Sequence, residues 1–404
     1  MNQRHKSMIS RPANVGIPPA VWTLGFVSLL MDISSEMIHS LLPVFLVTSL
    51  GASAFAVGLI EGTAEATALI VKVFSGGLSD YWGKRKPLVL FGYGLGALSK
   101  PLFVLAASPG LVLAARLLDR VGKGIRGAPR DALVADLVPP ELRGTAFGLR
   151  QSLDTVGAFL GPLFAMGLML IWNNDFRAVF RAAVIPGFLA VALLCFGVQE
   201  ARKRTRERPV NPFRREHLGR LSRKYWWVVV IGSLFTLARF SEAFLILRAQ
   251  QGGLPFPFAP LVLIGMNAVY AATAYPFGKL SDHLSHTSLL AMGLVVLIGA
   301  DSALACSGHS FWVWVGIMLW GLHMGITQGL LATMVADAAP ADLRGTAFGF
   351  FNLAGGIAML VASVLAGLLW DRFGAPLTFI AGALFSGVAL VVIWFHRGRP
   401  ECSN

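Results

Sequence analysis

The sequence predicts an all-α polytopic membrane protein of twelve transmembrane helices, arranged as two pseudo-symmetric six-helix halves. Three observations carry this prediction. Of the 404 residues, 55% are hydrophobic and only 14% are charged, a balance outside the soluble range. The mean hydropathy of +0.66 is delivered in repeated apolar runs of about 20 residues, the length of helix that crosses a bilayer. Finally, ADLVPPELRGTAFG at 135–148 returns as ADAAPADLRGTAFG at 336–349, an offset of 201 residues. A period of half the chain is too long for a solenoid unit. It suits two halves related by an axis along the membrane normal.

The formal charge of +13 does not point to nucleic acid, because of where the charge lies. Most Lys and Arg fall in the first tail, in alternate loops and in the last tail. Only Arg177, Arg181, Arg248 and Arg372 fall in the opposite loops. This positive-inside bias places both termini in the cytoplasm of a plasma (inner) membrane protein. The chain divides into a tail (1–19), a six-helix bundle (20–198), a basic linker (199–224), a second bundle (225–395) and a final tail (396–404). The linker is a topology anchor against anionic headgroups. The first tail has Arg4, Lys6 and Arg11 but no apolar core, so it is not a cleaved signal peptide. Cys195, Cys306 and Cys402 form no ligand spacing, so neither a disulfide framework nor a metal site is expected.

Span 1 (about 20–47) contains Asp32, Glu36 and His39 at i, i+4 and i+7, on one helical face. Span 2 (about 54–78) places Glu61, Glu65 and Lys72 on one face in the same way. Mid-membrane carboxylates of this kind either pair locally or form a proton relay. Span 3 (about 87–107) carries Lys100-Pro101. Span 4 holds Arg116, Asp119, Arg120, Lys123, Arg126, Arg130 and Asp131. Each charge at the bilayer centre costs at least about 2.5–3.5 kcal/mol on insertion scales, so seven on one helix need a polar interior. The repeat supplies a control: their counterparts are Ile317, Trp320, Gly321, Met324, Thr327, Leu331 and Ala332. The fold builds the equivalent helix without any of these charges, so the fold does not require them and they are functional candidates.

Span 5 begins near Gly144 and carries Gly148, Gly157, Gly161 and Pro162, with Arg150 and Asp154 four residues apart. Small residues let helices approach closely and Pro162 bends the helix. Span 6 ends near 198. Spans 7–12 follow at about 225–247, 255–280, 287–306, 311–336, 345–370 and 374–395. Glu242 with Ser241 in span 7 echoes Ser35-Glu36, and Arg239 lies close by. His323 in span 10 is a core histidine or a substrate contact. The aromatics of this half, among them Phe240, Phe244, Trp314 and Trp320, are read as packing residues, some of them lining an apolar cavity wall.

The turn Gly76-Gly77-Leu78-Ser79-Asp80-Tyr81-Trp82-Gly83-Lys84-Arg85 resembles the signature G-x-L-[AS]-D-[RK]-x-G-[RK]-[RK] of the major facilitator superfamily, departing from it only at Tyr81. A degenerate copy ends at Asp282. Span 4 and its following turn resemble R-L-L-Q-G-x-G-x-G and A-D-x-x-P-P-E-x-R-G through Arg116, Gly122, Gly124, Ala135, Asp136, Pro139, Pro140, Glu141, Arg143 and Gly144. Asp119 stands where the family has glutamine and Arg120 where it has glycine. Asp337 and Arg344 repeat Asp136 and Arg143 in the second half. The resemblance implies a cytoplasmic gate built on Gly76, Asp80, Gly83, Lys84, Arg85, Asp136, Arg143, Asp282, Asp337 and Arg344. It also ties the Arg116 position to proton coupling. The glycines and Pro162 of span 5 match G-x8-G-x3-G-P, which the family associates with antiporters, although Ala165 and Met166 replace the final Gly-Gly.

The expected function is therefore a secondary transporter, not an enzyme: there is no H-E-x-x-H and no assembled nucleophile. No G-x4-G-K-[ST] phosphate cradle is present, so an ion gradient drives transport and no cofactor is called for. The expected mechanism is proton-coupled antiport exporting a small molecule, by a chain functional as a monomer. Asp32, Glu36, Glu61 and Glu65 are the proton-site candidates. Arg116, Asp119, Arg120, Lys123, Arg126, Arg130, Asp131, Asp154 and Glu242 complete the cavity set. The alternatives are symport or uniport of an organic anion, which the basic span 4 suits, and a non-transporting membrane sensor.

Overall fold

A computed structural model describes residues 17–82, 84–139, 142–199, 221–280, 284–306, 310–340 and 343–397. All regular structure among them is helical: α1 (Pro19–His39), α2 (Leu42–Thr48), α3 (Ala54–Trp82), α4 (Lys86–Val104), α5 (Pro109–Leu137), α6 (Arg143–Ile171) and α7 (Phe176–Gly197) in the first half. The second half holds α8 (Arg223–Ala238), α9 (Ala243–Gln251), α10 (Pro260–Leu280), α11 (His286–Ala305), α12 (Ser310–Ala338), α13 (Arg344–Phe373) and α14 (Ala375–Arg397). Eleven spans are long and apolar enough to cross a membrane, with α1–α2 and α8–α9 each counting as one. The twelfth is α5, whose charges exclude it from any hydropathy criterion.

Two of the expected spans are broken. Span 1 stops at Ser40–Leu41, where Pro43 in the first turn of α2 supplies no backbone N–H to continue the hydrogen bonding of α1. Span 7 opens at Arg239–Glu242: Arg239 is extended (φ −118°, ψ 96°), and Ser241 Oγ accepts from Ala243 N at 3.3 Å as the chain re-enters a helix. Prolines 101, 129, 162, 186 and 276 lie inside α4, α5, α6, α7 and α10. In a membrane bundle, neighbouring helices and side chains re-satisfy the groups they free. The repeat holds at the helix starts: Arg143 opens α6 and Arg344 opens α13.

The halves meet chiefly along α3 and α13, which are antiparallel. Glycines make this seam possible. A Cβ on Gly62 would lie 2.9 Å from Cβ of Ser363, and one on Gly367 only 2.7 Å from the Ala54 carbonyl oxygen. At the face away from the chain ends, one apolar cluster crosses both halves, joining Leu41–Leu46, Val57 and Ile60 to Phe240, Phe244, Val262, Trp320, Ala366 and Phe379. At the face carrying the chain ends the clusters are separate: Val21, Val89, Tyr93 and Leu133 in the first half; Tyr225, Val335 and Ala347 in the second. The first face is sealed across the halves by one apolar core; at the second the core is divided between them. Among the described residues the seal has one polar fastening. Asp371, near the end of α13, accepts from Ala54 N and Phe55 N at the start of α3, each at 2.9 Å.

Candidate functional site

Span 4, now α5, runs between α3 and α4, and glycines bring all three close. Cβ atoms on Gly92 and Gly124 would lie 2.7 Å from Cβ of Arg126 and of Val71. Close backbones leave the long charged side chains little room except toward one another. Arg116, Asp119, Arg120 and Arg126 are each under 5% exposed.

They form two layers. In the layer nearer the sealed face, Arg116 grips Glu61 of α3 in bidentate fashion, Nε to Oε1 at 3.1 Å and Nη2 to Oε2 at 2.6 Å. His39 of α1 inserts between two carboxylates, with Nδ1 3.3 Å from Glu36 Oε2 and Nε2 3.4 Å from Glu61 Oε2. Arg120 reaches Glu65 at 3.1 Å, and Arg116 stands 3.9 Å from the same carboxylate. Lys100 of α4, 1% exposed, donates to Asp119 Oδ1 at 2.7 Å and to Ser35 Oγ at 2.9 Å. Fork-on-carboxylate pairs of this kind are the strong ones. Breaking one strands a charge in the interior.

The second layer lies one to four turns toward the chain ends. Arg150 binds Asp154 at 2.6 Å and Asp131 at 3.7 Å; Arg130 binds Asp131 at 3.3 Å and Asp154 at 3.9 Å. Span 5 thus pairs both within itself and with span 4. Arg130 Nη1 also donates to Ser28 Oγ at 2.9 Å. Arg126 stacks over the Tyr93 ring, 4.5 Å from its centroid, the geometry in which a ring face attracts a cation. Asp32 sits among Lys123, Arg126, Arg130 and Asp154. Lys123 differs from the rest: it is exposed although it lies at the middle of α5, and no ion pair to it forms among the described residues. Glu65, at 35%, is the most exposed of the carboxylates paired in the first layer.

The span 5 glycines acquire a physical role here. Cβ atoms on Gly157 and Gly161 would lie 3.0 Å from Cβ of Asp32 and 2.7 Å from Cβ of Glu36. These two glycines seat the carboxylate-bearing face of α1 against α6. Gly148 has open space around it, and Pro162 lies inside α6, buried.

Across the seam, Glu242 and Arg239 occupy the break of span 7. The charges that act on Glu242 are those of His39, Arg239, Glu36 and Glu65, so the second half presents its carboxylate to the first half's cluster. His323 is fully buried, its Nδ1 2.8 Å from the Gly293 carbonyl and its ring stacked 5.0 Å from Phe235. It is a core histidine with one nitrogen satisfied.

At the turn between α3 and α4, Arg85 Nε binds Asp136 Oδ2 at 2.9 Å, linking the two motifs read from sequence. Gly76 lies in α3, a Cβ there only reaching van der Waals contact with Ala128. Lys84, Arg143, Asp337 and Arg344 are exposed. Gly83 and Asp282 lie outside the described residues, as do the side chain of Asp80, most of the 199–224 linker and nearly all of both tails. Lys72, on the Glu61 face by spacing, is exposed and packs its methylenes toward Gly127 rather than joining the carboxylates. Sequence reading placed His39 on the right face without a role in the cluster. It also passed over Asp371 and Asp301, which local spacing does not mark.

The family model described as Major Facilitator Superfamily matches residues 24–362 and 243–403. An uncharacterized MFS-type transporter of Methanocaldococcus jannaschii is 34% identical over 390 residues, covering 92% of this chain and 94% of that protein. A multidrug resistance protein, MdtH, of Shigella boydii is 25% identical over 375 residues, covering 90% and 89%. Among solved structures the nucleoside transporter NupG superposes with a TM-score of 0.78 at 11% identity, over 95% of this chain and 100% of that one. The family model spans nearly the whole chain and the first of these relatives matches it end to end, so the chain belongs to the major facilitator superfamily of membrane transporters.

Proposed function

We propose that this chain is a proton-coupled antiporter that exports a small molecule by alternating access. The observation that carries the reading is the shared carboxylate of Glu61, held at once by Arg116 and His39, with Glu65–Arg120 beside it. A proton arriving at Glu65, the accessible member, neutralises one arm and frees Arg120. Arg120 then competes with Arg116 for Glu61, and His39 is passed toward Glu36. Each step exchanges a partner rather than stranding a charge, so a proton moves through the cluster at low electrostatic cost. Glu242 faces the same cluster from the other half, which ties the exchange to the rocking of the halves around the midplane. The resemblance of span 5 to the antiporter pattern and the multidrug resistance relative support export. The charge bias supports tails in the cytoplasm of the inner membrane, with the sealed face outward.

The test uses purified protein in liposomes loaded with a pH-sensitive dye and a panel of organic anions, cations and neutral drugs. Antiport releases lumenal protons as substrate enters, and Glu65→Gln abolishes pH-driven transport while substrate exchange persists. Retained coupling in that variant would remove Glu65 from the relay. A second reading, symport or uniport of an organic anion, is favoured by one observation: Lys123 is exposed and free of ion pairs among the described residues. Protons moving in the same direction as substrate would select symport, and anion flux with no proton movement would select uniport.

A further inference from the structure

The exchange described above uses the first half and Glu242, and leaves out a buried carboxyl of the second half. Asp301 of α11 is 0% exposed, and neither of its oxygens has a hydrogen-bond partner among the described residues. A Cβ on Gly382 of α14 would lie 2.6 Å from Asp301 Oδ2 and 3.1 Å from Cε1 of Phe240. Among the described residues no charged group acts on it. The membrane-spanning part of α14, 375–394, has no titratable side chain. α12 contributes His323, which faces Gly293 and Phe235. The break of span 7 contributes Arg239 and Glu242, and the charges acting on Arg239 are Glu242, Glu65 and Tyr270 rather than Asp301.

The internal repeat shows what has been removed. Asp301 stands 201 residues after Lys100, the offset of the repeat itself. Lys100 is satisfied by Asp119 and Ser35. At that offset the counterpart of Asp119 is Trp320, whose Nε1 is buried with no partner among the described residues. The counterpart of Ser35 is Thr236, whose hydroxyl is committed to Gly232 O at 2.8 Å. The second half keeps a buried titratable group at this place, reverses its sign and deletes its counter-ion. An ionised carboxylate with no cation and no donor is strongly disfavoured at such a site. A neutral carboxylic acid is compatible with it, and brings one O–H donor and spare acceptor capacity.

We propose that Asp301 is a second proton-binding site, built into the half that lacks the charges of span 4, and that it holds its proton while the face opposite the chain ends is sealed. Phe240, in the non-helical break, borders Gly382 as the carboxyl does, so movement of the break is the route by which water and protons reach it. The proposal goes beyond the antiport reading and does not depend on it.

The experiment is infrared spectroscopy of the full-length protein in lipid nanodiscs near neutral pH, with no substrate present, so its outcome is independent of whether transport is proton-coupled. The wild type shows a carboxylic-acid C=O band that moves on transfer to D2O and is lost in Asp301→Asn. Asp301→Leu loses the same band and, being neutral, elutes as the same folded species, which guards against misfolding of a single variant. Spectra of wild type and Asp301→Asn that differ only in an ionised-carboxylate band would overturn the proposal. So would a band lost on adding sodium, which would make this a metal-cation site. A carboxylic-acid band that never shifts in D2O would also overturn it, marking a sealed structural acid with no access to protons.

Discussion

Asp371→Ala removes a polar fastening across the sealed face. In the structure both carboxylate oxygens of Asp371 accept from the first backbone donors of α3, Ala54 N and Phe55 N, at 2.9 Å. The first four N–H groups of a helix have no partner of their own, and a side-chain cap there contributes about 0.5–2 kcal/mol, typically about 1. Ser53 already accepts from Ala56 N at 3.2 Å, and Asp371 is exposed, so water replaces part of what is lost. The low-to-middle value, about 1 kcal/mol, is the appropriate one. The fastening exists only while α3 and α13 touch, so the loss falls on the sealed state alone. The population that opens on this side rises by about fivefold, with RT near 0.6 kcal/mol. The assay is a cysteine at Ser363, fully buried on α13 opposite Gly58 and Gly62, in a background without the native cysteines. A membrane-impermeant maleimide modifies it only when the seam parts. Asp371→Ala speeds modification about fivefold, and Asp371→Asn, which keeps one acceptor oxygen, speeds it less. An unchanged rate in Asp371→Ala would refute the argument, leaving the glycine packing as the whole of the seal.

The remaining predictions concern the charged layers and the glycines that shape them. Glu61→Gln strands Arg116 in the interior and lowers stability by about 3–5 kcal/mol, read as a fall in the unfolding midpoint in detergent. Glu61→Gln with Arg116→Met recovers most of that loss, because no unpaired charge remains. The same logic holds for Lys100 and Asp119: Asp119→Asn destabilises, and adding Lys100→Met restores the midpoint. Gly161→Ala forces a methyl against Glu36 Cβ and the Ile33 carbonyl, 2.7 and 2.9 Å away. Transport falls sharply in this variant, while Gly148→Ala, with nothing within 4 Å, transports as wild type.

Much of the fold was legible in the chain because a bilayer leaves few choices. Every backbone polar group must be satisfied internally, so apolar runs of bilayer length become helices. The 201-residue repeat then places Arg143 and Arg344 at equivalent helix starts. The charges of span 4 announced themselves by cost alone. Periodicity put Glu36 and His39 on one face, since neighbours at i and i+3 must meet.

The pairings were decided only in three dimensions. Nothing in the spacing of Lys100 and Asp119 links them; two glycine-lined helices brought close enough for a 2.7 Å contact do. His39 became part of the cluster because α1 and α3 converge on Glu61. Asp371 became a cap because α13 ends where α3 begins. The sequence by itself determined the membrane spans and the presence of a polar interior, because these follow from local transfer costs counted residue by residue. Which carboxylate meets which cation, and which carboxyl meets none, was fixed by helix packing, because electrostatic partnership depends on distances of a few ångströms between residues far apart in the chain.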